Sequence, residues 1–368
     1  MRYRQIDNGP VAIPMLGQGT GIGGGNVRYA KYPENFAEVL RFGVNLGMNF
    51  IDTAEVYGDG EAEKHIGKTI NGIRDRVLIS TKFSPDHNSS EDVIQSAEES
   101  LKRLQTDYID FYQVHWPTPR ISLTETLLAL KKLKDEKKIR YIGVCNFSFR
   151  EIKKAQSVLE GALNSIQMEY NLFDRSAEKD VLPFCQQNNI VFIAYSPLAK
   201  GKIAPANKLP ELMRIADKYK KSIVQIVLNW IIMHDSVLAI PNATKIGHLK
   251  ENSEAADFIL SENDFNDIDE YIAKKTIELP VGSICAFSES EKDHFSTIDD
   301  ALTNKLGFVP SPLELANDFL KHSDVKPIKV AKISSNKFEY ILLEGRLRYW
   351  GWVIARGMGS MIPAIIVD

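Results

Sequence analysis

Between residues 15 and 272 the chain alternates strand-like apolar runs with helical patterns eight times over. The strand runs fall at 15–20, 49–54, 77–83, 108–115, 140–147, 165–171, 191–197 and 237–242. Helical spacing of apolar residues fills the gaps, as at 34–46, 90–104, 123–136, 150–159 and 178–187. Ser89 and Ser90 stand before Glu91, Ser122 before Glu125 and Ser148 before Glu151, each a helix-start signal. Unbroken βα alternation requires parallel strands joined by right-handed crossovers. Eight such units over about 260 residues match a closed (β/α)8 TIM barrel, an α/β fold. Ahead of them, 3–6 and 11–14 flank Asp7-Asn8-Gly9-Pro10, which predicts a hairpin plugging the barrel floor.

After residue 272 the alternation stops. Residues 279–300 are polar and irregular, with Pro280 and Gly282. We therefore expect a barrel domain over 1–280, a linker over 281–300 and a small α+β domain over 301–368. In the last, helices are predicted at 312–320 and 347–355 and strands at 328–333, 340–343 and 364–367, with Ile341 and Leu343 facing its core.

Charge and cysteine usage exclude some classes. The formal charge is −3, so the chain has no general pull on nucleic acid or membrane. Residues 301–368 alone are mildly basic, with nine Lys and Arg against six Asp and Glu. Cys145, Cys185 and Cys285 form neither a disulfide framework nor a metal-ligand spacing, so no metal is expected and a cytoplasmic setting fits. The start, MRYRQIDNGP, lacks the apolar core of a signal peptide. The apolar run 222–233 is too short to span a bilayer.

In a barrel, chemistry sits at the C-terminal strand ends. Those ends carry Asp52, then Tyr57 in the following loop, Lys82 and His115. A phenol, with its ordinary pKa near ~10, is a poor acid at neutral pH. A neighbouring ammonium stabilises the phenolate, and a buried lysine needs a counter-ion such as Asp52. A histidine N–H can polarise a carbonyl. Each residue alone has an ordinary structural reading; four at consecutive strand ends point to a proton donor facing a carbonyl. A competing reading starts from Gly19-Thr20-Gly21-Ile22-Gly23-Gly24, which matches G-x-G-x-x-G before an acidic strand end at Asp52. No helix opens at those glycines, and the alternation runs on to eight units, which argues against a dinucleotide-binding Rossmann domain.

From about residue 3 to 275 the chain resembles the aldo-keto reductases. The resemblance rests on DTAEVYGDGEAE (52–63), LISTKF (78–83), YIDFYQVHWP (108–117), IRYIGVCNFS (139–148), SIQMEYN (165–171), IAYSPLAKGKI (193–203) and IPNATKIGHLKEN (240–252). It implies a (β/α)8 barrel that reduces aldehydes and ketones with a nicotinamide cofactor, usually NADPH, and no metal. It implies a catalytic tetrad of Asp52, Tyr57, Lys82 and His115. It places the cofactor's carboxamide on Asn146 and Gln167, its nicotinamide face on Tyr195, and its pyrophosphate by Ser196, Leu198 and Gly201. Residues from Pro241 through Asn252 would hold the adenosine phosphate. Many relatives have lysine where Asn242 stands and arginine where His248 stands, so Lys245 and His248 remain to grip the 2′-phosphate. NADP(H) is expected over NAD(H). Cys145 stands where serine is usual. Gly21 stands where many have tryptophan, which leaves Trp116 as the aromatic wall for substrate. The short loop 203–209 implies little cover over the cofactor.

The stretch from Lys326 through Gly345-Arg346-Leu347-Arg348 to Val367 resembles the ParB/sulfiredoxin-like fold, whose Gly-x-x-Arg holds nucleotide phosphates. Gly345 and Arg348 match. Arg346 stands where sulfiredoxins have their catalytic cysteine, so that activity is not implied. The expected function is thus an NAD(P)H-dependent carbonyl reductase acting on a small molecule, with an appended nucleotide-binding module. The alternative is a non-catalytic sensor of nicotinamide redox state signalling through its C-terminal domain.

Overall fold

The computed structural model describes residues 1–5, 11–22, 27–201, 203, 209–273, 276–286, 295–308, 310–321, 326–333, 335 and 338–366. The hairpin turn at 7–10, the second half of the glycine motif (Gly23, Gly24) and most of loop 203–209 lie outside them. Contacts divide the chain into two units: Met1–Leu172 with Ala177–Glu262, and Phe173–Ser176 with Asn263–Asp368.

The first unit opens with an antiparallel pair, β1 (Tyr3–Gln5) and β2 (Ala12–Pro14). Eight parallel strands follow, ordered in space as in sequence: β3 (Gln18–Gly19), β4 (Phe50–Asp52), β5 (Leu78–Phe83), β6 (Ile109–Val114), β7 (Ile139–Cys145), β8 (Leu163–Glu169), β9 (Val191–Tyr195) and β10 (Val237–Ala239). Bridges from Leu16 to Ala239 and from Gly19 to Asn242 close the ring. This is the barrel that the alternation predicts, and it leaves no place for an open Rossmann sheet. The intervening helices are α1 (Phe36–Asn45), α2 (Glu61–Ile70), α3 (Ser90–Leu104), α4 (Leu123–Asp135), α5 (Phe149–Val158), α6 (Val181–Gln187), α7 (Pro210–Tyr219), α8 (Ile223–Met233) and α9 (Ile246–Glu254). β5 and β6 are buried at all six positions, as strands covered on both faces must be. Ile13 of β2 packs with Phe50 and Leu78, the first residues of their strands, so the hairpin does plug the floor. The helix run 223–233 is one of the barrel's buried helices, and no helix among the described residues is long and apolar enough to cross a membrane.

The second unit contains α10 (Glu262–Ala273), β11 (Thr276–Pro280), β12 (Ile284–Cys285), α11 (Ile298–Leu302), α12 (Pro312–Lys321), β13 (Ile328–Lys332), β14 (Tyr340–Glu344), α13 (Arg346–Arg356) and β15 (Met361–Ile366). Its mixed sheet runs β11-β15-β13-β14-β12. Here the sequence expectation needs moving. Residues 276–280, assigned to the barrel domain, pair antiparallel with β15, and residues 284–285, assigned to the linker, pair with β14. Ile277 and Leu279 alternate with polar neighbours, a strand pattern whose partner lies some ninety residues downstream. Leu279, Ile328, Val330, Leu342, Trp350, Val353 and Ile362 form the core. Leu342 takes the inward place expected of Leu343, which is 46% exposed.

Candidate active site

β4 ends on Asp52, β5 carries Lys82 at its penultimate position, and His115 follows β6 directly. Adjacent parallel strands put these three ends side by side. Lys82 Nζ donates to Asp52 Oδ2 at 2.8 Å and to the Thr53 carbonyl at 2.6 Å. Lys82 is 1% exposed, so the ion pair is shielded from water. The Lys82 ammonium lies 5.3 Å from the centre of the Tyr57 ring, and the Tyr57 and His115 rings meet edge-on at 5.8 Å. The four residues singled out at strand ends are therefore one cluster.

Its electrostatics follow from burial. Burial pushes the Tyr57 phenol up to about 12, while Lys82 pulls it down. The hydroxyl keeps its proton at neutral pH and can give it away. Burial pulls the His115 imidazole down to about 3, and Lys82 adds to the effect, so the ring is neutral. Burial opposes the Lys82 charge, but Asp52 and the Tyr57 oxygen outweigh it and hold the ammonium above its usual value. Gly21 borders the same space: a Cβ there would sit 3.2 Å from two ring carbons of Tyr57. The missing side chain keeps the approach to Tyr57 open on that side. Trp116 is 43% exposed beside His115 in sequence.

The expected cofactor residues divide into groups. Gln167 donates Nε2 to Asp52 Oδ1 at 3.0 Å, and its Oε1 is buried with no partner among the described residues. Asn146, with φ +61°, donates Nδ2 to the His115 carbonyl and to Cys145 Sγ, each at 3.1 Å. Its Oδ1 accepts from the Tyr195 hydroxyl at 2.9 Å. Burial drives the Cys145 thiol up to about 12, which makes it an inert neighbour. Ser196 and Gly201 bound a turn of left-handed residues, with φ of +49° and +84°, and Leu198 lies within it, half-buried. Pro241 is buried and Asn242 is exposed, donating Nδ2 to the Gly21 carbonyl at 3.0 Å across the barrel seam. Lys245 caps α9 and His248 lies in its first turn, both exposed; Asn252 is turned inward at 3% exposure.

Sequence reading missed the groups behind this cluster. Ser80 donates Oγ to Asp52 Oδ1 at 2.9 Å, and Gln113 donates Nε2 to Ser80 Oγ at 2.7 Å. It also missed a clamp on the Tyr57 loop. Arg103 Nε donates to the fully buried Glu63 at 2.6 Å, and Glu55 accepts from His87 Nδ1 at 2.8 Å. Among the described residues no three His, Cys, Asp or Glu side chains converge on a metal position.

Comparison with known proteins decides the family. The Aldo/keto reductase family profile matches residues 16–273. The chain belongs to the aldo/keto reductase family. Methylglyoxal reductase YeaE of Escherichia coli is 36% identical over 267 residues, covering 71% of this chain and 92% of its own. Aldo-keto reductase YhdN of Bacillus subtilis is 33% identical over 324 residues, covering 77% of this chain and 96% of its own. Among solved structures, the thermostable aldo-keto reductase Tm1743 in complex with the inhibitor epalrestat superposes with a TM-score of 0.68. It is 37% identical, covering 74% of this chain and all of its own. An aldo/keto reductase from Klebsiella pneumoniae in complex with NADP and acetate is 36% identical with a TM-score of 0.65, covering 70% of this chain and 91% of its own. The family match spans the barrel strands β3 to β10 and their helices.

Proposed function

We propose that this aldo/keto reductase uses NADPH to reduce small aldehydes or ketones to alcohols, with Tyr57 as the proton donor. The observation that carries the reading is the buried Lys82–Asp52 pair set against Tyr57, with a neutral His115 facing the same ring. The residues present fit a nicotinamide. The unsatisfied Gln167 Oε1 suits a carboxamide NH2, and Asn146 and Tyr195 flank the same wall. Solved relatives from Klebsiella pneumoniae hold NADP or NADPH, and Lys245 and His248 at the start of α9 offer cationic and polar groups to a 2′-phosphate.

Held by Gln167, Asn146 and Tyr195, a reduced nicotinamide would supply a hydride to the carbonyl carbon. Tyr57 gives its proton to the carbonyl oxygen, because an alkoxide is a far stronger base than a phenolate. Lys82 stabilises the phenolate left behind, and Asp52 balances the lysine so that a buried ammonium persists. The neutral imidazole of His115 has one N–H to aim at the same oxygen. Small dicarbonyls head the candidate substrates, since relatives named methylglyoxal reductase and glyoxal reductase share this barrel.

A scan of aldehydes, ketones, sugars and dicarbonyls with NADPH and NADH tests the reading. Tyr57→Phe should keep NADPH affinity and lose about 10²–10⁴-fold in turnover, the worth of a general acid. Turnover within about threefold of wild type would remove Tyr57 from the role. A sensor without chemistry would bind NADPH and reduce nothing in the scan.

A second reading concerns the C-terminal unit. A cleft of about 520 Å³ there is lined by Glu344, Gly345, Arg346 and Arg348 along with apolar side chains. This favours a nucleotide on a ParB-like module. Against it, Arg348 Nη1 already donates to the Lys326 and Pro327 carbonyls at 3.0 Å. Calorimetry of the full chain and Arg348→Ala with ATP, CTP and GTP decides between a phosphate contact and a backbone staple.

A further inference from the structure

The inward face of a barrel strand is ordinarily aliphatic. Here it holds a line of polar groups that the proposed chemistry does not use. Ser80 on β5, Gln113 on β6 and Ser165 on β8 are each fully buried. Burying a hydroxyl or amide is costly unless it is paired, and a leucine would fill the same space at no such cost. All three are paired with one another. Ser165 Oγ donates to Gln113 Oε1 at 3.5 Å, Gln113 Nε2 donates to Ser80 Oγ at 2.7 Å, and Ser80 Oγ donates to Asp52 Oδ1 at 2.9 Å. Gly143 on β7 leaves room for them: a Cβ there would come within 2.3 Å of Ser165 Oγ and 2.7 Å of Gln113 Cγ.

The line has a direction. The NH2 end of an amide can only donate, so Ser80 Oγ must accept from Gln113. The serine hydrogen is then left for one acceptor, Asp52 Oδ1. With Oδ1 held, Oδ2 faces Lys82. Gln167 also donates to Oδ1, but the nicotinamide reading gives that amide a second task. Ser80 is the donor to Oδ1 that the cofactor has no reason to disturb.

We propose that Ser80, steered by Gln113, is a positioning residue that fixes the Asp52 carboxylate and through it the Lys82 ammonium against Tyr57. The inference rests on the reductase reading above and adds a dependence on residues buried beneath the reacting groups.

The test compares methylglyoxal reduction with NADPH by wild type, Ser80→Ala, Ser80→Thr, Gln113→Leu and Tyr57→Phe, each first titrated with NADPH by fluorescence. Ser80→Ala should lose about ten- to hundredfold in kcat, the worth of a hydrogen bond to a charged group. Its KM and NADPH Kd should stay within about threefold of wild type. Ser80→Thr, which restores the hydroxyl, should recover most of the loss. Damage to packing alone would not be undone by Ser80→Thr, whose extra methyl group overfills the site. Gln113→Leu should lower kcat in the same way with KM and NADPH Kd kept, and it carries the test if Ser80→Ala fails to bind NADPH.

Ser80→Ala with wild-type kcat overturns the inference. So does Ser80→Thr as impaired as Ser80→Ala, which would mean that volume matters and not the hydroxyl. If Tyr57→Phe is inactive while Ser80→Ala is fully active, only this inference falls. If wild type reduces no carbonyl in the scan, the reductase reading falls and takes this one with it.

Discussion

His115 shows what the surroundings of one residue decide. Burial and the Lys82 charge hold its folded-state pKa at about 3, against an ordinary value of 6.5. Below pH 6.5 the unfolded chain takes up a proton that the folded chain refuses. This contribution to stability is complete above pH 6.5 and is lost as pH falls toward 3. By pH 4 the loss is on the order of 3 kcal/mol. Denaturant titrations of wild type and His115→Gln at pH 7 and pH 4 should show a shallower pH dependence in the variant; parallel curves would contradict a buried neutral imidazole. Asp52, Tyr57, Lys82 and His115 were legible because a strand end marks a place in a barrel. Ser80 and Gln113 were not. Each sits within a strand whose six residues are all buried, and such a run shows no alternation to separate the inward face from the outward one. Nor does anything local tie Glu63 to Arg103, forty residues apart in sequence.

At the scale of elements, start signals held where the side chain had no better partner. Ser148 caps α5 in a full capping box with Glu151. Ser122 precedes α4 with the same spacing, yet makes no side-chain cap. Its Glu125 instead accepts from the Ser90 amide at 3.1 Å, so a tertiary contact displaced the local one. Ser148→Ala should therefore destabilise the barrel by about 1 kcal/mol, and Ser122→Ala by less, which thermal melts of the two variants would rank. The phase of β14 was unreadable for a different reason. Ile341, Leu342 and Leu343 are three apolar residues in a row, and a period of two needs a polar residue to fix its phase. The register with β13 settles it, pairing Val330 with Leu342.

At the scale of the whole molecule, eight repetitions made the barrel legible, since each unit supports the reading of the next. The C-terminal unit offers no repeat, and its boundary was placed too late because β11 pairs with a strand distant in sequence: Thr276 faces Ile365. Ending the chain after Ser360 should leave NADPH binding by the barrel intact while residues 276–360 become sensitive to limited proteolysis. Protection equal to that of the full chain would show that β15 is dispensable. The position of β15 in its sheet has a further consequence, for synthesis. It lies between β11 and β13, so it is the strand that joins Thr276–Pro280 to the rest of the sheet. A ribosome that has delivered everything through α13 has supplied both neighbours and not the strand between them. At about 5–20 residues per second, β11, made some eighty residues before β15, spends several seconds in all with an open edge. The barrel and the β13-β14-β12 part of this sheet can form while the chain is still being made; β11 can join only as β15 emerges.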